Sequence, residues 1–138
     1  MTQERRIIIT EIDNDRLQRL IEQYGDGRNA ELAEMLEQEL ARAEIMSAED
    51  IPPDVVTMNS TVIFEDEETG ARREVTLSYP QDARNGEGRV SVLAPIGSAL
   101  LGLSAGQSIE WPVPGGRTRR LRIVAVTYQP EAAGHLHL

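Results

Sequence analysis

Residues 91–109 read S-V-L-A-P-I-G-S-A-L-L-G-L-S-A-G-Q-S-I, and the fold follows from how this run is divided. Ser91, Val92 and Leu93 read as the end of a strand. Pro95 stands where a helix can begin, because the first helical amides have no internal acceptor to lose. Ile96, Ala99, Leu100 and Leu103 fall near one face of a short helix, and Gly102 and Gly106 let the backbone leave it. Ile109 opens another apolar run. A strand, a short proline-led helix and a returning strand make the centre of a small sheet domain.

Working outward, the C-terminal side gives a short strand at Ser108–Trp111, a P-V-P-G-G turn at 112–116 and a long strand from Arg119 to Tyr128. Along that strand Leu121, Ile123, Ala125 and Thr127 share one side, and Arg122, Val124 and Val126 the other. On the N-terminal side, Thr61–Glu65 and Arg73–Tyr79 read as a hairpin around the turn D-E-E-T-G at 66–70, and Arg89–Leu93 pairs back after a polar loop at 80–88. The expectation is an α+β domain over 51–138, an antiparallel sheet carrying one short helix.

Before the double proline Pro52-Pro53 the periodicity changes from 2 to 3.6. Thr10 reads as a helix N-cap with Asp13 as an acidic capping-box partner. Leu17, Leu20, Ile21 and Tyr24 then recur at helical spacing. Gly25-Asp26-Gly27-Arg28-Asn29 makes a turn. A second helix, from Asn29 to Ile45, lines up Leu32, Leu36, Leu40 and Ala43. Residues 1–50 thus form an antiparallel helical hairpin, a short coiled coil with its tip at 25–29. Ile7, Ile8 and Ile9 precede it as an edge strand or an anchor onto another element.

Composition excludes several functions. The 138 residues contain no cysteine, which removes disulfides, thiol catalysis and cysteine metal sites. Aromatics are only 4%, too few for a large base-stacking surface. The formal charge is −9, with 14 acidic against 6 basic side chains in residues 1–58. Such a front half repels phosphate, so direct sequence-specific DNA binding is not expected and a protein partner with a basic or mixed surface is. His135 and His137 sit in a tail expected to be loosely ordered, not in a metal site. No apolar run suits a signal peptide or a membrane span, so the expected location is cytoplasmic.

Several separated motifs agree in order with one family. V-V-T-M-N-S at 55–60, S-V-L-A-P-I-G-S-A-L-L-G-L-S-A-G at 91–106, the P-G-G turn and the long last strand resemble the C-terminal domain of the GreA/GreB transcription elongation factors of bacteria. The R-R-I-I-I-T opening, the P-P-D-V-V-T-M-N-S link and the Y-Q-P-E-A-A-G tail are similar to the subfamily called Rnk, or regulator of nucleoside diphosphate kinase. The resemblance implies an FKBP-like sheet domain that docks on core RNA polymerase at the rim of its secondary channel. The docking surface it implies is Pro95, Ile96, Gly97, Ala99 and Leu100. In the longer family members two acidic residues at the coiled-coil tip are suited to bring a magnesium ion to the polymerase active site. Here the tip is G-D-G-R-N-A-E, residues 25–31, with Asp26 in the aspartate position, Arg28, Asn29 and Glu31 beside it, and no match for the second carboxylate.

The implied protein is therefore a regulator without its own catalysis, cofactor or metal, competing with Gre factors for polymerase. One rival is a transcript-cleavage factor using Asp26 with Glu22 or Glu31. Another is an FKBP-like peptide-binding or isomerase module, for which Phe64, Tyr79, Trp111 and Tyr128 supply few and scattered aromatics. Contact with a kinase or nucleotide has no support, since there is no Walker-type phosphate loop and no lysine in the chain.

Overall fold

The computed structural model describes residues 7–24, 30–83, 88–113 and 115–135. Strand β1 (Ile8–Thr10) leads directly into helix α1 (Glu11–Tyr24), and α2 (Ala30–Arg42) returns to β2 (Glu44–Met46). Thr10 caps α1 as expected: its Oγ1 accepts the N–H of Asp13 at 3.0 Å, satisfying one of the first amides that the helix leaves unpaired. The two helices pack on each other, and each spans about 20 Å at 1.5 Å per residue.

The second helix is shorter than its periodicity predicts. It stops at Arg42 rather than running to Ile45, because the Glu44 N–H donates to the Ile7 carbonyl at 2.7 Å and the chain straightens beside β1. Ile8, Ile9 and Thr10 then pair in parallel with Glu44, Ile45 and Met46. On its other side β1 is tied to the rest of the protein, with the Ile8 N–H donating to the Gly102 carbonyl at 3.0 Å. The three isoleucines are buried, so they anchor both ends of the hairpin at its base.

The remaining elements are β3 (Thr61–Asp66), β4 (Arg72–Ser78), α3 (Pro80–Ala83), β5 (Arg89–Ser91), α4 (Pro95–Leu100), β6 (Ser108–Val113), β7 (Arg117–Tyr128) and α5 (Pro130–Ala133). The five strands lie in the order β5-β4-β3-β7-β6. The β3–β4 turn forms where the sequence places it, with Asp66 Oδ1 accepting the N–H groups of Glu68 and Thr69. β5 runs parallel to β4, so the sheet is mixed where an antiparallel one was expected. The reason is the connection through α3, which carries the chain back before β5 starts beside Thr76. β5 also ends at Ser91, and Val92 and Leu93 form a buried turn in place of further strand.

Two register shifts where β3 meets β7 correct the expected division of the last strand. Phe64 pairs with Ile123 but Ile63 with Ala125, so one extra residue of β7 enters between them. An inserted residue reverses which side chains face in. Beyond it Val126, not Ala125, stands opposite buried Val62 and packs against the core.

One apolar cluster runs through the molecule. Leu17, Leu20, Ile21, Ala33, Leu36 and Leu40 of the hairpin belong to the same buried set as Val62, Phe64, Val75, Leu77, Leu100, Leu101, Leu103 and Ile123. Leu17 and Leu36 are fully buried. The helical arm is laid onto the sheet-bearing head rather than projecting free of it along its whole length.

Candidate functional site

The surface around α4 is assembled by close backbone packing. Ala94 is extended at φ −65°, ψ 145°, Pro95 follows at the helix start, and the Ser98 N–H donates to the Ala94 carbonyl at 3.0 Å. A Cβ on Gly97 would run into the carbonyl oxygen of Ser91, so only glycine fits there. Gly102 combines φ +82° with a second close approach, to the Ile7 side chain and the Ile8 backbone. Its N–H donates to the Val56 carbonyl at 2.8 Å, and Val56 in turn donates to the Leu103 carbonyl at 2.8 Å. The glycines of this motif thus hold α4, the link segment and the base of the arm against one another.

This packing separates the five residues of the expected docking surface. Leu100 is fully buried and Gly97 is buried, so both act through packing and neither presents a contact surface. Ile96 and Ala99 are half-buried at the margin of the core and leave apolar area facing out. Pro95 starts the helix. Helix α2 packs against α4, which places the arm beside this surface.

Of the tip residues, Asp26, Arg28 and Asn29 lie outside the described residues. Glu31 and Glu22 are exposed on the first turn of α2 and near the end of α1. Among the described residues there is no group of three His, Asp or Glu side chains that could hold a metal ion. A polar cleft of about 380 Å³ opens beside the sheet, lined by Asn59, Thr61, Thr76, Asp82, Arg89 and Tyr128. With one aromatic among its six lining residues, it is unlike the apolar slot that a proline-containing peptide would need. Of the four aromatics considered for such a slot, Phe64 is buried in the core and Tyr79 packs against it.

Sequence reasoning missed the joint between arm and head. The sequence pattern makes Asp13 a capping-box partner for Thr10, but its carboxylate turns inward and Oδ2 accepts the Met58 N–H at 3.1 Å. The residue is only 4% exposed. Burial pushes its carboxyl up to about 6; the Met58 N–H opposes this, the Glu131 charge adds to it, and Arg16 and Thr10 offset a smaller part. Tyr79 is also pushed up, to about 12, by burial and then by the Asp13 charge. Thr57 Oγ1 donates to Glu131 Oε1 at 2.7 Å, and Asn59 sits at φ 67°. The T-M-N-S motif gave a usable signal, a run of short polar residues tolerant of a tight turn. The tail is tied down as far as His135, which shares a hydrogen bond of 2.7 Å between its Nδ1 and Tyr128 Oη, while His137 lies outside the described residues.

Across the middle strands, at the end of the sheet that bears the β3–β4 turn, runs a ladder of alternating charge. Glu65 bonds Arg72 at 2.9 Å and Arg122 at 3.4 Å, and Glu67 reaches Arg120 at 3.1 Å. The Arg72 hydrogen bond, helped by Arg122, holds the Glu65 carboxyl below its ordinary value.

An α+β head with a glycine-locked α4 and a short two-helix arm is the architecture of a transcription elongation factor of the Gre kind, and comparison with known proteins agrees. Residues 51–128 match the family described as "Transcription elongation factor, GreA/GreB, C-term", and residues 5–46 match "Rnk N-terminus". The chain is 44% identical to the regulator of nucleoside diphosphate kinase of Escherichia coli, over 93% of each chain. It is 33% identical to the transcription elongation factor GreA of Chelativorans sp., over 75% of this chain and 62% of that one. A solved structure, the prokaryotic transcription elongation factor GreA/GreB from Nitrosomonas europaea, superposes with a TM-score of 0.73 at 48% identity, covering 91% of this chain and all of the other. The chain belongs to the GreA/GreB family, in its Rnk branch, and is a regulator of the elongation-factor type. No helix among the described residues is long and apolar enough to cross a membrane.

Proposed function

We propose that this protein is a non-enzymatic regulator that docks on RNA polymerase core near the secondary channel and competes there with Gre factors. Family membership supports the partner. The observation that carries the rest is the length of the arm: helices of 14 and 13 residues, about 20 Å, whose apolar faces are buried against the head. An arm this short and this tightly held suits occupancy better than delivery of a catalytic ion. The half-buried Ile96 and Ala99 offer apolar contact beside the start of α4, with Gly97 and Leu100 fixing the shape beneath them. Any effect on nucleoside diphosphate kinase, which the Escherichia coli relative's name describes, would follow from altered transcription.

Competition binding tests this reading. Labelled GreA on purified core polymerase should be displaced by increasing amounts of this protein, and Ile96→Asp should weaken displacement at least tenfold while leaving the fold intact by circular dichroism. Failure to bind core polymerase at high micromolar concentration would end the proposal. Arrested elongation complexes test the rival: cleavage that rises with this protein and vanishes with Asp26→Ala would make it a cleavage factor instead.

A further inference from the structure

Two acidic side chains from distant parts of the chain converge on the four-residue loop Thr57-Met58-Asn59-Ser60. Asp13 comes from the first turn of the arm and accepts the Met58 N–H at 3.1 Å. Glu131 comes from α5, after the last strand, and accepts from Thr57 Oγ1 at 2.7 Å. The loop is otherwise closed on itself and on the sheet. The Thr57 N–H donates to Ser60 Oγ at 2.9 Å, the Ser60 N–H to the Thr57 carbonyl at 3.0 Å, and the Asn59 N–H to the Leu77 carbonyl at 2.7 Å. Its one remaining amide, that of Met58, is therefore the loop's own point of attachment for the arm.

We propose that this loop is a proton-responsive clasp, which grips the arm more tightly when Asp13 is neutral than when it is charged. The charged groups around Asp13 are few and opposed. Arg16, one turn further along α1, favours the carboxylate; Glu131 of α5 disfavours it; and Tyr79, just past β4, is half-buried and linked electrostatically to all three. Burial outweighs the favourable contacts, consistent with the carboxyl being pushed up to about 6. A group bound more strongly by protons in the closed state than in the open one stabilises the closed state in acid, and that gain is lost as pH rises through the folded value. With an open-state value near 3.9, opening of the arm becomes about tenfold more frequent at pH 7.5 than at pH 5. The inference stands on the fold alone and does not depend on polymerase binding.

Native-state hydrogen exchange of the α1 amides, corrected for intrinsic rates, measures this opening in the intact protein. The expected result is about tenfold less protection at pH 7.5 than at pH 5 in the wild type, and no such difference in Asp13→Asn, which keeps an oxygen acceptor for Met58. Carboxyl carbon chemical shifts provide a second readout: the Asp13 titration should fall near pH 6 and move lower in Glu131→Gln. An Asp13 midpoint in the ordinary aspartate range, or a pH difference that persists unchanged in Asp13→Asn, would overturn the clasp.

Discussion

The arm and the head handle charge in opposite ways. In the head, carboxylates are matched to arginines, even the buried Asp66: Glu65 to Arg72 and Arg122, Asp66 to Arg119, Glu67 to Arg120. At the root of the arm, Asp13 is taken out of water and given one neutral backbone donor. The two regions also differ in their need for each other. The head has five hydrogen-bonded strands and its own buried residues, whereas the arm has two short helices whose apolar residues are covered by each other and by joining the head's cluster. Isolated helices of this length are marginal in water. The arm is an extension of the head's core, and its acidic outer face is what remains exposed.

The sharpest way to break the comparison is to damage the arm's buried face and watch the head. Leu36→Ala removes a fully buried side chain and should cost about 3 kcal/mol, with arm and head signals melting together in urea. Separate transitions would show that the arm folds on its own account. Gly97→Ala attacks the head from the other side. The added methyl meets the Ser91 carbonyl, so the backbone must move, at a cost of about 2–3 kcal/mol in chemical denaturation.

A pH series sharpens the contrast. The Asp13 carboxyl is raised in the fold, so its contribution is present in acid and fades as pH rises through about 6. The Glu65 carboxyl is held low by Arg72. Burial alone would raise Asp66, but the N–H groups of Glu68 and Thr69 and the Arg119 guanidinium outweigh it and hold it low. Those two contributions are present at neutral pH and fade as pH falls below the ordinary carboxylate range. Corrected for intrinsic rates, amide exchange should therefore slow in α1 as pH is lowered from 7 to 5, and quicken in the β3–β4 hairpin only as pH falls below about 4. The smallest effect belongs to Arg122→Ala. It breaks exposed ion pairs, which contribute little, and its thermal midpoint should stay close to that of the wild type, with less sensitivity to salt.

The parts of the site legible in the sequence were those that local rules control. Thr10 capped its helix and Asp66 made its turn because each acts on amides two or three residues away. Pro95 and the glycines marked the limits of α4 for the same reason. What escaped were features decided by a partner distant in the chain. Ile45 has helical neighbours, yet it became strand because β1 lay alongside. Ala125 alternates correctly with Ile123, yet an inserted residue in β7 turned the next inward position to Val126. Leu100, on the apolar face that its spacing gives, is wholly inside, and both the sheet and the arm cover α4.

The sequence by itself determined the two-part plan, helical before Pro52-Pro53 and sheet after, because hydrophobic period and backbone breakers act over a few residues. Its order of motifs was enough to place the chain in its family. Only the tertiary structure decided that the arm lies on the head, that Gly97 and Leu100 serve packing, and that Asp13 spans 45 positions to hold Met58. Those outcomes depend on which surfaces exclude water together, and burial of that kind is a property of the assembled chain.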